Sequence, residues 1–367
     1  MRWLIVLLLL LLAGCESGEQ QEATYSVTDL LGGTDTAGYA RALQPRDFRF
    51  PADHGPHPEY RNEWWYFTGH LQARDGREFG FQVTFFRNAI TPVVVESSSA
   101  WRTNQVWMAH VALSDLATGE HYAEERFSRQ GANLAGATTT PLRVWLENWK
   151  LSAGELPSTW TLDLPAESYG LALKLSPLSP VIRQGDAGLS QKSAEPGNAS
   201  YYYSIPRLAV KGELTLHGER VAVSGSAWLD REWGTSALGP DQTGWDWFSL
   251  QLADGRNLMY YQLRNTDGST DPYSRGSVSD ANGLLGRLTP AQVDLVPVRY
   301  WDAGDRRYPV EWRMTVKGEQ YPWRIRALLD DQEMKLSVQY WEGAVEVVNE
   351  ETQQSLGRGY LEMVGYR

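Results

Sequence analysis

From about residue 48 onward the chain repeats one pattern, short runs of alternating apolar and polar side chains broken by turn residues. A period of two places alternate side chains on opposite faces of a strand. The pattern is clearest where Phe79, Phe81, Val83 and Phe85 are set against Gly80, Gln82, Thr84 and Phe86. Such runs predict strands over residues 64–73, 78–87, 106–115, 142–151, 160–164 and 171–176. Later strands are expected over 208–216, 221–228, 246–252, 257–264, 310–316, 321–328, 335–341 and 357–365. Asp75-Gly76, Asp254-Gly255 and Asp267-Gly268 read as hairpin turns, since Gly takes the positive φ that tight turns need. No long stretch has helical periodicity. Residues 131–140, 183–200 and 266–282 are expected to be long loops. The fold class is therefore all-β.

One stretch echoes another. Glu63-Trp64-Trp65-Tyr66-Phe67 precedes Asp75-Gly76-Arg77 and an aromatic strand ending in Arg87. Gly244-Trp245-Asp246-Trp247-Phe248 precedes Asp254-Gly255-Arg256 and a strand ending in Arg264. The echo predicts two related β-domains, barrels or sandwiches, spanning residues 45–235 and 236–367.

The start of the chain is different. One Arg precedes an apolar run of roughly 11 residues, whereas a bilayer span needs about 20. The run ends in Leu12-Ala13-Gly14-Cys15, and Cys15 is the only Cys in the 367 residues. Residues 1–15 read as a lipoprotein signal peptide with its lipobox, Cys15 as the lipidation site, and 16–44 as a flexible tether. Glu16 rather than Asp follows the Cys, which points to the outer rather than the inner membrane of a two-membrane envelope, with the body facing the periplasm.

A net charge of −11 counts against nucleic acid or anionic lipid as the main partner. The 16 Trp, 18 Tyr and 9 Phe suit either strand packing or a cavity for an apolar ligand. Candidate ligand-binding residues are Trp64, Trp65, Tyr66, Trp233, Trp245 and Trp247, with His54 and His57 from the loop before the first strand. Asp53, His54, His57 and Glu63 form the densest polar cluster. Its His-x-x-His spacing allows a metal, but a hydrogen-bond cluster closing a barrel mouth explains it better, so no metal or cofactor is expected. Candidate catalytic residues are Asp230, Glu232 and His110. Alternation puts Asp230 and Glu232 on one face, where a carboxyl desolvated beside Trp228 or Trp233 becomes a proton donor. The competing reading is an ion-pair network with Arg231. No nucleophile elbow, P-loop or dinucleotide fingerprint is present.

Several segments together carry a family likeness. They are Phe50–His57 with Arg61-Asn62-Glu63-Trp64-Trp65-Tyr66, then Ala109–Asp115, Tyr202–Arg207, Gly225–Gly234, Tyr340–Val345 and Gly357–Glu362. In this order the chain resembles the AttH proteins and carotenoid 1,2-hydratases, often labelled predicted secreted hydrolases. The resemblance implies two packed lipocalin-like β-domains and, for some members, an ABC-transporter permease as companion. It also implies that the hydratase branch has His at the place of Arg231 and Tyr-x-Asp about one strand later, where this chain has Gln262 or a neighbour. Arg does not cycle a proton near neutral pH, so carotenoid itself is disfavoured. The leading expectation is a lipid-anchored protein that binds or hands on a lipophilic molecule, alongside an ABC-type exporter. The alternative is an enzyme of hydratase or hydrolase type acting on an apolar substrate.

Overall fold

The computed structural model describes residues 36–93, 97–156, 158–236 and 238–366. The expected signal peptide, Cys15 and residues 16–35 lie outside them.

The all-β expectation holds: two curled antiparallel sheets contain nearly all of the ordered elements. The first has thirteen strands: β1 (Asn62–Ala73), β2 (Glu78–Ala89), β3 (Gln105–Asp115), β4 (Glu120–Arg129), β5 (Ala135–Thr139), β6 (Leu142–Leu146), β7 (Trp149–Ala153), β8 (Trp160–Pro165), β9 (Tyr169–Pro177), β10 (Ile182–Arg183), β11 (Leu189–Gln191), β12 (Ala199–Leu216) and β13 (Glu219–Gly234). The second has ten: β14 (Gln242–Leu252), β15 (Asn257–Asn265), β16 (Arg275–Asp280), β17 (Gly283–Leu288), β18 (Val293–Ala303), β19 (Arg306–Val316), β20 (Trp323–Ala327), β21 (Glu333–Met334), β22 (Tyr340–Asn349) and β23 (Ser355–Val364).

The sheets share a topology. Each begins with a meander, and its first strand pairs with both its second and its last: β1 lies between β2 and β13, β14 between β15 and β23. The two echoing hairpins thus hold equivalent places. Their turns match in detail. Gly76 and Gly255 have φ of 93° and 92°, and Asp75 and Asp254 accept the backbone N–H of Arg77 and Arg256 at 3.1 and 3.0 Å.

Several expected loops contain strands: β5 falls in 131–140, β11 in 183–200, whose start also overlaps β10, and β16 in 266–282. The expected strand 142–151 is two, split where Glu147 turns with φ of 56°. Strands β4, β17 and β18 were not expected. They are sheet-edge strands largely open to solvent, so little hydrophobic alternation marks them. The last part of the expected tether is also not free. Ala42 is buried, Tyr39 donates to the Ala89 carbonyl at 2.8 Å, and the Gln44 carbonyl accepts from Tyr201 at 2.9 Å.

Each sheet curls around its own filled core. Phe79, Phe81, Val83, Phe85, Trp149 and Leu162 pack inside the first, and Phe248, Tyr260, Trp312, Trp341 and Leu361 inside the second. Part of each opposite face is shielded from water by the other sheet. The faces of β1–β3, β12 and β13 press against β14, β15 and β21–β23, and bury two further clusters. Gly80 marks a close approach: a Cβ there would stand 2.8 Å from the Ala344 Cβ and 2.8 Å from the Tyr360 hydroxyl. Directed bonds fix the pairing, including Gln251 to the Pro206 and Ala227 carbonyls (2.8 and 2.9 Å) and His70 Nε2 to the Gly359 carbonyl (2.8 Å). Alternation in β2 therefore separates two buried faces, with Gln82 and Thr84 fully covered by the partner domain.

Candidate active site between the two domains

The polar chemistry gathers between the two sheets and not within either core. A cavity of about 100 Å³ lies between the sheets, on the faces opposite both cores. Strand register builds its walls as rows. On the first sheet Phe86, Trp64, Glu232 and Tyr202 stand side by side, and so do Thr84, Tyr66, Asp230 and Ser204. On the second, Tyr261, Trp247, Glu362 and Glu342 form the facing row. Trp245, Tyr340 and Lys192 are among the further lining residues.

Parity decides which expected residues take part. Trp64, Tyr66, Asp230, Glu232, Trp245 and Trp247 line the cavity. Trp65 and Trp233 are one residue out of phase, and a period of two sends them into the first core. There Trp65 stacks near Trp107 and donates from Nε1 to the His54 carbonyl at 2.9 Å, while Trp233 stacks on His57 with ring centroids 3.8 Å apart. His54 and His57 stay on that side too. His54 bonds the Tyr203 hydroxyl at 2.6 Å, and burial followed by the nearby Arg231 charge lowers its pKa to about 4. The ring nitrogens of His57 face Asp53 at 3.1 Å and Glu63 at 3.3 Å. Glu63 in turn binds Arg87 at 2.5 Å and Arg231 at 3.0 Å. Its oxygens are thus engaged by cations, and among the described residues no group of three His, Cys, Asp or Glu is arranged to hold a metal.

Arg231 does not pair with its neighbours Asp230 and Glu232. Alternation turns it the other way, where it binds Glu63 and the carbonyls of Trp64 (2.7 Å) and Gly55 (2.6 Å), and lies 3.9 Å from the Trp65 ring centroid. The two acids meet other partners. Asp230 accepts from Ser204 at 2.5 Å, from Trp228 Nε1 at 2.7 Å and from the Tyr202 hydroxyl, which also receives a bond from Trp247 Nε1 at 3.1 Å. Burial pushes Asp230 up to about 7 despite these donors, and the Glu232 charge adds to the rise. Glu232 pairs with Lys192 at 3.0 Å and accepts from Ser200. Burial opposes the Lys192 charge, but Glu232 and Tyr261 hold its ammonium above the usual range.

Sequence reasoning named Trp245 and Trp247 on the opposite wall but missed its acids. Glu362 accepts from Trp245 Nε1 at 2.6 Å, and burial, with Asp230 and Glu232 adding to it, pushes it up to about 7. Glu342, directly across the strand pair, is raised well above the carboxylate range by burial and by Glu362, and it interacts with the hydroxyls of Tyr66 and Tyr340. The available signal was an acid two residues after a Tyr in each of two strands, Tyr340-Trp341-Glu342 and Tyr360-Leu361-Glu362, and so on the same face as that aromatic. His110 is not in the lining. It lies fully buried behind Tyr340, with Nδ1 2.8 Å from that hydroxyl, and burial lowers its pKa to about 3.

This arrangement supplies neutral carboxylic acids near pH 7 within an aromatic enclosure. Such groups donate protons, and Trp faces stabilise positive charge that develops nearby.

The fold is shared with solved structures. A crystal structure assigned as an AttH from Nitrosomonas europaea is 37% identical, covers 89% of this chain and 100% of its own, and superposes with a TM-score of 0.79. Kievitone hydratase from Nectria haematococca is 17% identical over 89% of this chain and 95% of its own, with a TM-score of 0.67. CghA is 14% identical over 92% and 96%, with a TM-score of 0.57. No curated protein matches the sequence. The AttH-like family profile matches residues 41–366, and the chain belongs to that family.

Proposed function

We propose that the chain is an acid–base enzyme of hydratase type, acting on a C=C bond of an apolar substrate held between the two domains. The observation that carries this reading is the convergence of Asp230 and Glu232 from one sheet and Glu362 from the other on a cavity walled by Trp64, Tyr66, Trp245 and Trp247. Asp230 or Glu362, as the neutral acid, gives its O–H proton to one alkene carbon, and the C–H bond forms as the π bond breaks. The carbon left positive lies against Trp faces. Water bonds to it through oxygen and passes a proton to the Glu232 carboxylate, which Lys192 holds in place. Proton exchange among the carboxyls returns the site to its starting state.

A carrier of lipophilic molecules, the other reading, has no use for buried carboxyl groups, each of which is costly to desolvate. That a hydratase shares the two-domain fold supports the enzyme. We further place the enzyme at the envelope, lipid-anchored through Cys15. An ABC-type partner rests on family resemblance alone.

The test incubates the protein with a panel of isolated and conjugated alkenes in heavy-oxygen water and reads heavy oxygen in alcohol products by mass spectrometry. Incorporation is expected with the parent and lost in Asp230→Asn and Glu362→Gln. Alkenes that quench Trp fluorescence saturably yet take up no oxygen would leave the carrier reading instead.

A further inference from the structure

A line of ionisable and hydroxyl groups leads from the cavity to the surface. It begins at the buried pair Glu342 and Glu362, which are register partners on β22 and β23. Tyr340 lines the cavity and its hydroxyl faces Glu342, whose two carboxyl oxygens have no hydrogen-bond partner among the described residues. That hydroxyl stands 2.8 Å from His110 Nδ1, across the boundary between the domains. On the far side of the imidazole, Nε2 has no hydrogen bond, and a nearby carboxylate oxygen is Glu125 Oε2 at 3.7 Å. The Glu125 side chain is 24% exposed and anchored by Ser337, whose N–H and hydroxyl donate to it at 2.9 and 2.7 Å.

We propose that Tyr340, His110 and Glu125 form a proton-transfer route joining the buried carboxyl pair Glu342/Glu362 to solvent. The inference rests on the reading of Glu362 as a proton donor, and makes His110 a relay rather than a group that touches substrate.

The chemistry balances without charging either relay group. With Glu342 protonated, its O–H donates to the Tyr340 oxygen, Tyr340 donates to Nδ1, and Nε2–H faces Glu125. Outward transfer breaks the Glu342 O–H, the Tyr340 O–H and the Nε2–H bonds. It forms a new Tyr340 O–H, an Nδ1–H and an O–H on Glu125. Inward transfer reverses each step and restores the tautomer. The route needs a neutral imidazole, with one nitrogen donating and the other accepting. Burial keeps His110 in that form throughout the neutral range. Two links must close to hydrogen-bond length, about 2.8 Å: Glu342 to the Tyr340 hydroxyl, and His110 Nε2 to Glu125, which now stand 3.7 Å apart. Glu125 sits on the edge strand β4, and closing the gap requires a shift of the side chain that Ser337 now holds.

Hydrogen–deuterium exchange of the buried acid, followed by infrared spectroscopy of the full protein, tests the route. The protonated carboxyl band lost in Glu342→Gln identifies the reporter. After transfer to D2O, its isotope shift is expected to slow by about tenfold or more in His110→Phe and in Glu125→Gln, a barrier higher by at least one tenfold rate step. Exchange as fast as the parent's in both variants, as when protons enter through the cavity mouth, overturns the proposal. Should His110→Phe fail to fold, Glu125→Gln at the surface decides the outcome. The readout does not use turnover. Slowed exchange with no alkene hydration would sink the hydratase reading and leave the route standing.

Discussion

Replacing Asp230 by Asn removes a charge while nearly conserving shape. The Asp230 carboxyl rises from an ordinary 3.8 to about 7 on folding, chiefly through burial. The folded protein therefore holds this proton more tightly than the unfolded chain does. Stability from the group is present in full below the unfolded pKa, declines as pH rises through the window between the two values, and is flat above it. A rise of about three pH units, at roughly 1.4 kcal/mol each, amounts to about 4 kcal/mol lost between about pH 4 and pH 8. Asn has no such dependence. Its carbonyl oxygen can still accept from Ser204 and Trp228, but its amide cannot accept from Tyr202, a mismatch costing about 1–2 kcal/mol at every pH. The expected signature is a change of sign. Near pH 4 the variant is less stable than the parent by about 1–2 kcal/mol, and near pH 8 more stable by about 2 kcal/mol.

Urea unfolding followed by Trp fluorescence at the two pH values measures this, and comparing variant with parent cancels the carboxyls that do not interact with Asp230. A penalty of equal size and sign at both values would refute the reasoning. Asp230 would then be an ionised acceptor built into the interface, with no proton to give. Stability gained together with activity lost is instead the mark of a group kept for chemistry.

Two further outcomes follow from other charged groups. Burial alone would raise Glu63, but Arg87, His57 and Arg231 outweigh it and hold its carboxyl well below the usual range, so its contribution is present above the unfolded pKa and falls away only in acid. Glu63→Gln leaves two buried guanidiniums without their carboxylate and should cost about 3–5 kcal/mol at neutral pH; a urea midpoint unchanged from the parent's would contradict this. Cys15→Ser should release the body from the membrane fraction, and its retention there after carbonate washing would end the lipid-anchor proposal.

The sequence spoke clearly where one physical signal acted alone. Alternation in 78–87 named the inward set of β2, and the paired Asp-Gly turns placed two hairpins at equivalent points of two sheets. Edge strands escaped because exposure removes the pattern, as in β4, where Glu120, Glu124, Glu125 and Arg126 share a strand with only Tyr122 and Phe127 as large apolar groups.

The site was legible by parity and illegible by location. Alternation correctly put Asp230 with Glu232, but could not tell that the face they share meets a second domain. Nothing in Gly225–Gly234 states that Glu362, more than a hundred residues on, closes the same cavity. Each strand on its own shows a sheet with two apolar faces, the ordinary sign of central packing. The distinguishing feature is the acid left within such a strand. An ionisable group on a face that must be buried either finds a cation, as Glu63 does with Arg87 and Arg231, or remains neutral beside aromatics, as burial makes Glu342 do. The first outcome builds a structural network and the second a reservoir of protons. Which one a strand acid meets depends on the side chains of the facing sheet. That dependence is why the ion-pair cluster around Glu63, drawn largely from one hairpin and its approach loop, stood out in the sequence, and why the carboxyls at the interface did not.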